Sequence, residues 1–278
     1  EEQARINLEK ELAHWNFDRV KEDAFAEWNR ELGKITVEGG SEEEKIKFYT
    51  DLWHSLLGRH TFSDFNGKYI DNTGEEPVVR QVPLDNGTPT RNTYNSDAFW
   101  GSEFNLNILW SIAYPKVMSE FVSTLVDYYT NGGMIARGPS GGNYTYVMVG
   151  DQATPLIAAA YNKGIRDFDI ESAYQGCLKN SEPGGIRDYV GYKTNPGNFM
   201  QQYVDKGFVP EPTTKSPHAE GCAMTLYFAY EDWCMAQFAK GLEKEDVYRK
   251  YLQRSFNYRY VYDKQSGWMR PRTTDGSW

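Results

Sequence analysis

The residues best suited to do chemistry in this chain are carboxylates set among aromatic rings. Glu220 ends a proline-rich stretch at Pro217-His218-Ala219 and opens an apolar helical run, Gly221-Cys222-Ala223-Met224-Thr225-Leu226. A carboxylate at a helix start is presented to the loop face. In a partly desolvated, aromatic setting it can hold a proton near neutral pH and give it to a leaving oxygen. Cleavage of a glycosidic bond needs such an acid together with a second carboxylate that acts as base or nucleophile. The competing reading is an ordinary first-turn glutamate that interacts with the helix dipole, which favours the ionised form. A second lining comes from the segment Asp97 to Asn107. There Phe99, Trp100, Glu103, Asn105 and Asn107 bring rings, a carboxylate and amides to the end of a long loop. Its plain alternative is a loop-to-helix junction capped by Asp97. Glu231-Asp232, beside Tyr230 and Trp233, lies mid-helix and reads as a structural pair.

Other chemistries lack their residues. Gly138-Pro139-Ser140-Gly141-Gly142 has no lysine and opens no helix, so it is not a phosphate loop. No Gly-x-Ser-x-Gly is present. His14, His54, His60 and His218 read as surface or packing residues, since His54 and His60 do not share a helical face. Cys177, Cys222 and Cys234 are an odd set without Cys-x-x-Cys and read as small core residues.

These residues must be positioned by helices. The chain has 278 residues, 40% hydrophobic and 25% charged, which fits a globular protein with a sizeable core. The net charge of −9 argues against a nucleic-acid or anionic-membrane partner. No apolar run approaches the roughly 18–20 residues that span a bilayer. No signal peptide is visible, and a start at Glu1-Glu2 is read as a processed or trimmed end. The outlier is aromatic content, with 8 Trp, 20 Tyr and 14 Phe. Most of these rings are expected in the core, and some in groove walls that meet sugar faces.

Apolar periodicity predicts helix over 1–32, then a helix opened by the capping box Ser41–Glu44. Residues 58–97, rich in Gly, Pro, Asn and Asp, predict a long loop or short hairpins. Helix returns over 101–131 and stops at Gly132-Gly133. Further helices are predicted from Thr154-Pro155 to Gly164, over 170–179 behind Asp169, near Phe199–Asp205, over 221–241 and over 245–262. An internal echo links Ala160-Tyr161-Asn162-Lys163-Gly164-Ile165 with Phe238-Ala239-Lys240-Gly241-Leu242. Each reads as helix, glycine stop, acidic cap and helix, an αα-hairpin used twice. The expected fold is all-α, an incomplete (α/α)6 toroid of hairpins and long loops. Residues 1–40 form a linker helix region, and 41–278 form the N-terminal part of the helical domain.

Several blocks resemble one enzyme family. Tyr227-Phe228-Ala229-Tyr230-Glu231-Asp232-Trp233-Cys234 with Ala236 to Leu242 is similar to a signature of glycoside hydrolase family 92. So are Phe256-Asn257-Tyr258-Arg259, Met269-Arg270-Pro271, Asp275-Gly276-Ser277-Trp278, Phe48 to Leu57, and Pro155 to Tyr161. The resemblance implies a calcium-dependent, inverting exo-α-mannosidase that pairs an N-terminal β-sandwich with an (α/α)6 catalytic domain. It places Glu220 where the family carries its catalytic acid. It puts the general-base aspartates and the calcium ligands beyond Trp278, and the sandwich before Glu1. Phe99, Trp100, Glu103, Asn105, Asn107, Tyr144, Asp151 and His218 are then the expected sugar contacts. Asn107-Ile108, Tyr144 and Gln152 depart from the family pattern as aligned here, which points to a divergent branch. The expected partner is a glycan, and the expected location periplasmic or extracellular. Two rivals remain open: a non-catalytic glycan-binding toroid, and a lyase or phosphorylase-like toroid using other groups.

Overall fold

The structure is a computed structural model and describes residues 1–96, 99–191, 197–212 and 220–278. Among these residues it contains ten α-helices. They are α1 (Glu2–Glu11), α2 (Phe17–Leu32), α3 (Glu42–Leu57), α4 (Leu106–Ala113), α5 (Pro115–Gly132), α6 (Ala153–Asn162), α7 (Ile170–Asn180), α8 (Phe199–Lys206), α9 (Gly221–Gly241) and α10 (Glu245–Arg254). Among the described residues, strands form antiparallel two-stranded pairs. Lys68–Asp71 pairs with Val78–Gln81, and His60–Thr61 with Tyr94–Asn95. Residues 58–97 were expected to hold such hairpins.

Local chemistry sets the helix ends. Ser41 Oγ accepts from the Glu44 N–H at 3.2 Å while Glu44 Oε2 accepts from the Ser41 N–H at 2.7 Å, a complete capping box. Asp169 caps α7 by accepting from the Ser172 N–H at 3.0 Å. Two expected helical stretches are divided. Residues 1–32 break between α1 and α2, where the Asn16 side chain accepts from the Arg19 N–H and starts a new helix. Residues 101–131 break at Tyr114, because Pro115 has no N–H to continue α4 and instead starts α5. The last expected helix leaves α geometry at Arg254 and continues as a tighter 3₁₀ stretch, Ser255–Val261.

The internal echo is real in three dimensions. α6 with α7 and α9 with α10 form two helical hairpins, and α6 packs on α9. At the close of α9 a Cβ on Gly241 would strike the Asn162 and Tyr161 side chains of α6, so only glycine allows this approach. The main core joins α4, α5, α6, α7, α9 and α10 through Trp110, Phe121, Leu125, Leu156, Ile157, Tyr174, Phe238 and Tyr251. A second cluster of Phe199, Met200, Tyr203, Val209, Met224 and Phe228 holds the first half of α9. That cluster fixes the end of the helix that carries Glu220.

Under the middle of α9 lies a buried charged layer. Asp232 accepts from Arg187 Nη1 at 2.8 Å and from Arg254 Nε at 2.6 Å and Nη2 at 2.7 Å. Tyr203 donates its hydroxyl to the same carboxylate at 3.1 Å. Glu231 pairs with Arg187 Nε at 3.0 Å and accepts from the Asp151 N–H. Gly150, at φ +80°, lets the chain pass so close to Glu231 that a Cβ would collide with its carboxylate. Arg137 meanwhile donates to the carbonyls of Gly150, Met148 and Ile186. The loop from Arg137 to Asp151 is thereby tied to α9. Glu231-Asp232 is the structural pair expected from sequence, and it is buried rather than solvated.

Candidate active site

Glu220 occupies the N-cap position of α9, with an extended backbone at φ −108° and ψ 112° and no side-chain cap bond. It is exposed. The first free N–H of the helix, from Gly221, is taken by the Glu211 carboxylate instead. Val209 donates its N–H to Thr225 Oγ1 at 2.9 Å, and Glu211 donates its N–H to the Arg272 carbonyl at 2.7 Å. The loop after α8 and the C-terminal segment are therefore both fastened to the start of α9. Trp278 stacks on Arg272, with the guanidinium carbon 3.7 Å from the ring centroid. The capping work at this helix start belongs to Glu211, and the Glu220 carboxylate is left facing outward.

Tyr227 lies seven positions after Glu220, close to two turns into α9. Its ring lies 5.6 Å from that of Trp100, at an interplanar angle of 39°. Trp100 keeps 43% of its surface exposed. Glu103 sits in the short 3₁₀ turn Ser102–Phe104. Burial raises its carboxyl above the usual range, and its Oε2 has no hydrogen-bond partner. The Tyr227 phenol is pushed up to about 12, by burial first and then by the charges of Glu103 and Glu231. Tyr230 is raised too, by burial first, then by Cys234, with smaller contributions from Glu103 and Glu231. From Tyr230 an open groove of about 610 Å³ runs between α6 and α9, with Asn162, Lys163, Trp233, Gln237 and Lys240 in its walls.

The structure thus brings Trp100 and Glu103 to the Tyr227 stretch of α9, the helix that Glu220 heads. Asn105 is exposed at the start of α4. The remaining expected contacts sit elsewhere. Phe99 is buried and meets Phe121 edge-on at 5.4 Å. Asn107 is buried inside α4 with both side-chain polar atoms unpartnered. Tyr144 is buried, with its hydroxyl donating to the Tyr128 carbonyl at 2.8 Å near the far end of α5. Asp151 is fully buried and accepts from Thr154 Oγ1 at 2.6 Å. The polar atoms of Tyr144 and Asp151 are committed within the chain. His218 and the Asp97 cap lie outside the described residues. Sequence reasoning passed over Tyr227 as a site residue. Its spacing of seven from Glu220 on one helix was the available signal. Among the described residues no three histidines, cysteines or acidic side chains converge as a metal site.

The sequence profile of the glycosyl hydrolase family 92 catalytic domain matches residues 3–278. The chain belongs to glycosyl hydrolase family 92. A family 92 inverting mannosidase from Bacteroides thetaiotaomicron superposes with a TM-score of 0.85 at 28% identity, over 100% of this chain and 35% of that one. A family 92 α-mannosidase from the same organism gives 0.84 at 26% identity, over 100% and 34%. A curated relative from Arthroderma benhamiae, an uncharacterized secreted glycosidase, is 25% identical over 100% of this chain and 32% of its own length. The chain spans about a third of the length of these relatives.

Proposed function

We propose that the chain is part of a glycoside hydrolase that removes terminal α-linked, mannose-type sugars from glycans with inversion. Glu220 is the proton donor in this reading. The observation that carries it is the uncommitted Glu220 carboxylate at the start of α9, the helix that about two turns on carries the Trp100–Tyr227 ring pair. Rings of this kind cover the apolar face of a pyranose, and the Glu103 carboxyl can meet a hydroxyl. In this reading the Glu220 proton passes to the glycosidic oxygen as that bond breaks. Inversion needs a second carboxylate roughly 6.5–9.5 Å away to activate water on the opposite sugar face. That group is proposed to come from the remainder of the full-length protein, as is the rest of the (α/α)6 toroid and a β-sandwich.

Calcium is expected from the family resemblance, where it would bind sugar hydroxyls and ease ring distortion. Among the described residues no three histidine, cysteine or acidic side chains converge to hold it, and no step above runs through the metal. An extracellular location agrees with the secreted relative. No helix among the described residues is long and apolar enough to cross a membrane.

The test is product analysis by NMR, with the full-length protein acting on a panel of α-mannosides. Release of β-mannose as the first product is expected. Retained α-configuration, or elimination or phosphorolysis products, would overturn the inverting reading. Saturable sugar binding with no release would favour the non-catalytic toroid.

A further inference from the structure

Arg59 follows α3 and precedes the strand His60–Thr61. It is 6% exposed. Its guanidinium carbon lies 4.2 Å from the Trp110 ring centroid, 4.6 Å from Phe121 and 5.6 Å from Phe99. The rings cover the flat faces of the cation. Its edge is another matter: Nε, Nη1 and Nη2 are all buried, and none has an acceptor. Burial alone pushes its pKa down to about 9, so the group still carries its charge at neutral pH. A buried cation whose donors have no acceptor is costly, and ring stacking does not supply acceptors.

The polar atoms on the neighbouring segments are unpartnered as well. Strand register sets His60 against Asn95, which brings Arg59 alongside Ser96. Ser96 Oγ, Ser102 Oγ, Trp110 Nε1 and Asn107 Nδ2 are buried without hydrogen bonds. These four are donors or rotatable hydroxyls, and Asn107 Oδ1 is an unpartnered acceptor among them. Orphaned donors predominate near this buried cation, which fits an electron-rich guest, and among the described residues no acidic side chain is paired with this guanidinium.

We propose that Arg59 anchors a buried site for one small monovalent anion the size of formate or chloride, held edge-on by the guanidinium inside the Phe99–Trp110–Phe121 cage. Because Phe99 directly precedes Trp100, filling this site steadies the segment that presents Trp100 and Glu103. The site is separate from the Glu220 chemistry and does not depend on it.

Thermal unfolding of the full-length protein at pH 7 tests the proposal, with bulky gluconate exchanged stepwise for formate or chloride at constant ionic strength. The unmodified chain is expected to gain about 2–5 °C in a saturable way, and Arg59→Met to gain nothing. In gluconate alone Arg59→Met should be at least as stable as the parent, because it removes an unpaired charge. An equal response of the two proteins, or none in either, would overturn the site. So would Asp97→Asn destabilising the chain in gluconate as much as Arg59→Met, since a carboxylate of the chain itself would then be the partner. A second readout needs no variant: line broadening of ¹³C-formate by the unmodified chain, relieved by chloride. Absence of broadening contradicts the proposal.

Discussion

Glu220 and Asp232 lie on the same helix, and the fold uses them in opposite ways. Asp232 is sealed under α9 and accepts from two arginines and a tyrosine. Glu220 heads the same helix in the open, and a different residue, Glu211, caps the first N–H. The buried layer orients the helix and fastens the loop from Arg137 to Asp151, while the exposed end keeps a carboxylate uncommitted, about two turns before the Trp100–Tyr227 pair. A charge that is fully satisfied can hold structure but has nothing left to offer a substrate. Acidic residues on one element thus divide into positioning and reacting roles according to how many donors already surround them.

That contrast can be broken most sharply in the buried layer. Asp232→Ala leaves Arg187 and Arg254 without their shared acceptor and should cost about 3–5 kcal/mol in urea unfolding. Glu220→Gln, at an exposed position, should stay within about 0.5 kcal/mol of the parent. Similar losses in the two variants would erase the distinction.

Glu231 sharpens the comparison through pH. Burial, partly offset by Arg187, raises its carboxyl from the ordinary 4.5 to about 8. The folded state therefore binds a proton that the unfolded state releases between these values. Its contribution to stability is complete below about 4.5 and is lost as pH rises through about 8. The slope is at most about 1.4 kcal/mol per pH unit. Glu231→Gln should flatten that part of the pH–stability curve. An unchanged curve would show that Glu231 is ionised in the folded protein.

At the open end, Trp100→Ala should weaken sugar binding by the full-length protein about tenfold, or ~1.4 kcal/mol. Its unfolding midpoint should move little, because the ring is half exposed. A large loss of stability without loss of affinity would make Trp100 a core residue. The smallest effect belongs to a site far from both regions. Ser41→Ala removes one half of the capping box and should cost about 1 kcal/mol with no change in sugar binding.

Much of this architecture was legible because it rests on short-range chemistry. The capping box at Ser41, the glycine stops, the Asp169 cap and the repeated hairpin all follow from residues within a few positions of each other. The placement of Glu220 at a helix start followed from the switch between a proline-rich loop and an apolar run. What could not be read locally was long-range pairing. Nothing in the spacing of Arg187, Asp232 and Arg254 announces that they meet, nor that Glu211 takes over the cap of α9. Tyr144 and Asp151 stand in a glycine-rich stretch that resembles a site loop. Their side chains are nonetheless held by Tyr128 and Thr154, partners that only folding reveals.

The most direct measurement of the central claim is the turnover number of Glu220→Gln in the full-length protein on its best α-mannoside. The account predicts a fall of about 10²–10⁴-fold, with sugar affinity and unfolding midpoint close to the parent. Turnover within a few-fold of the parent, with the loss appearing in Glu103→Gln instead, would contradict it and move the proton donor to the other carboxylate beside Tyr227.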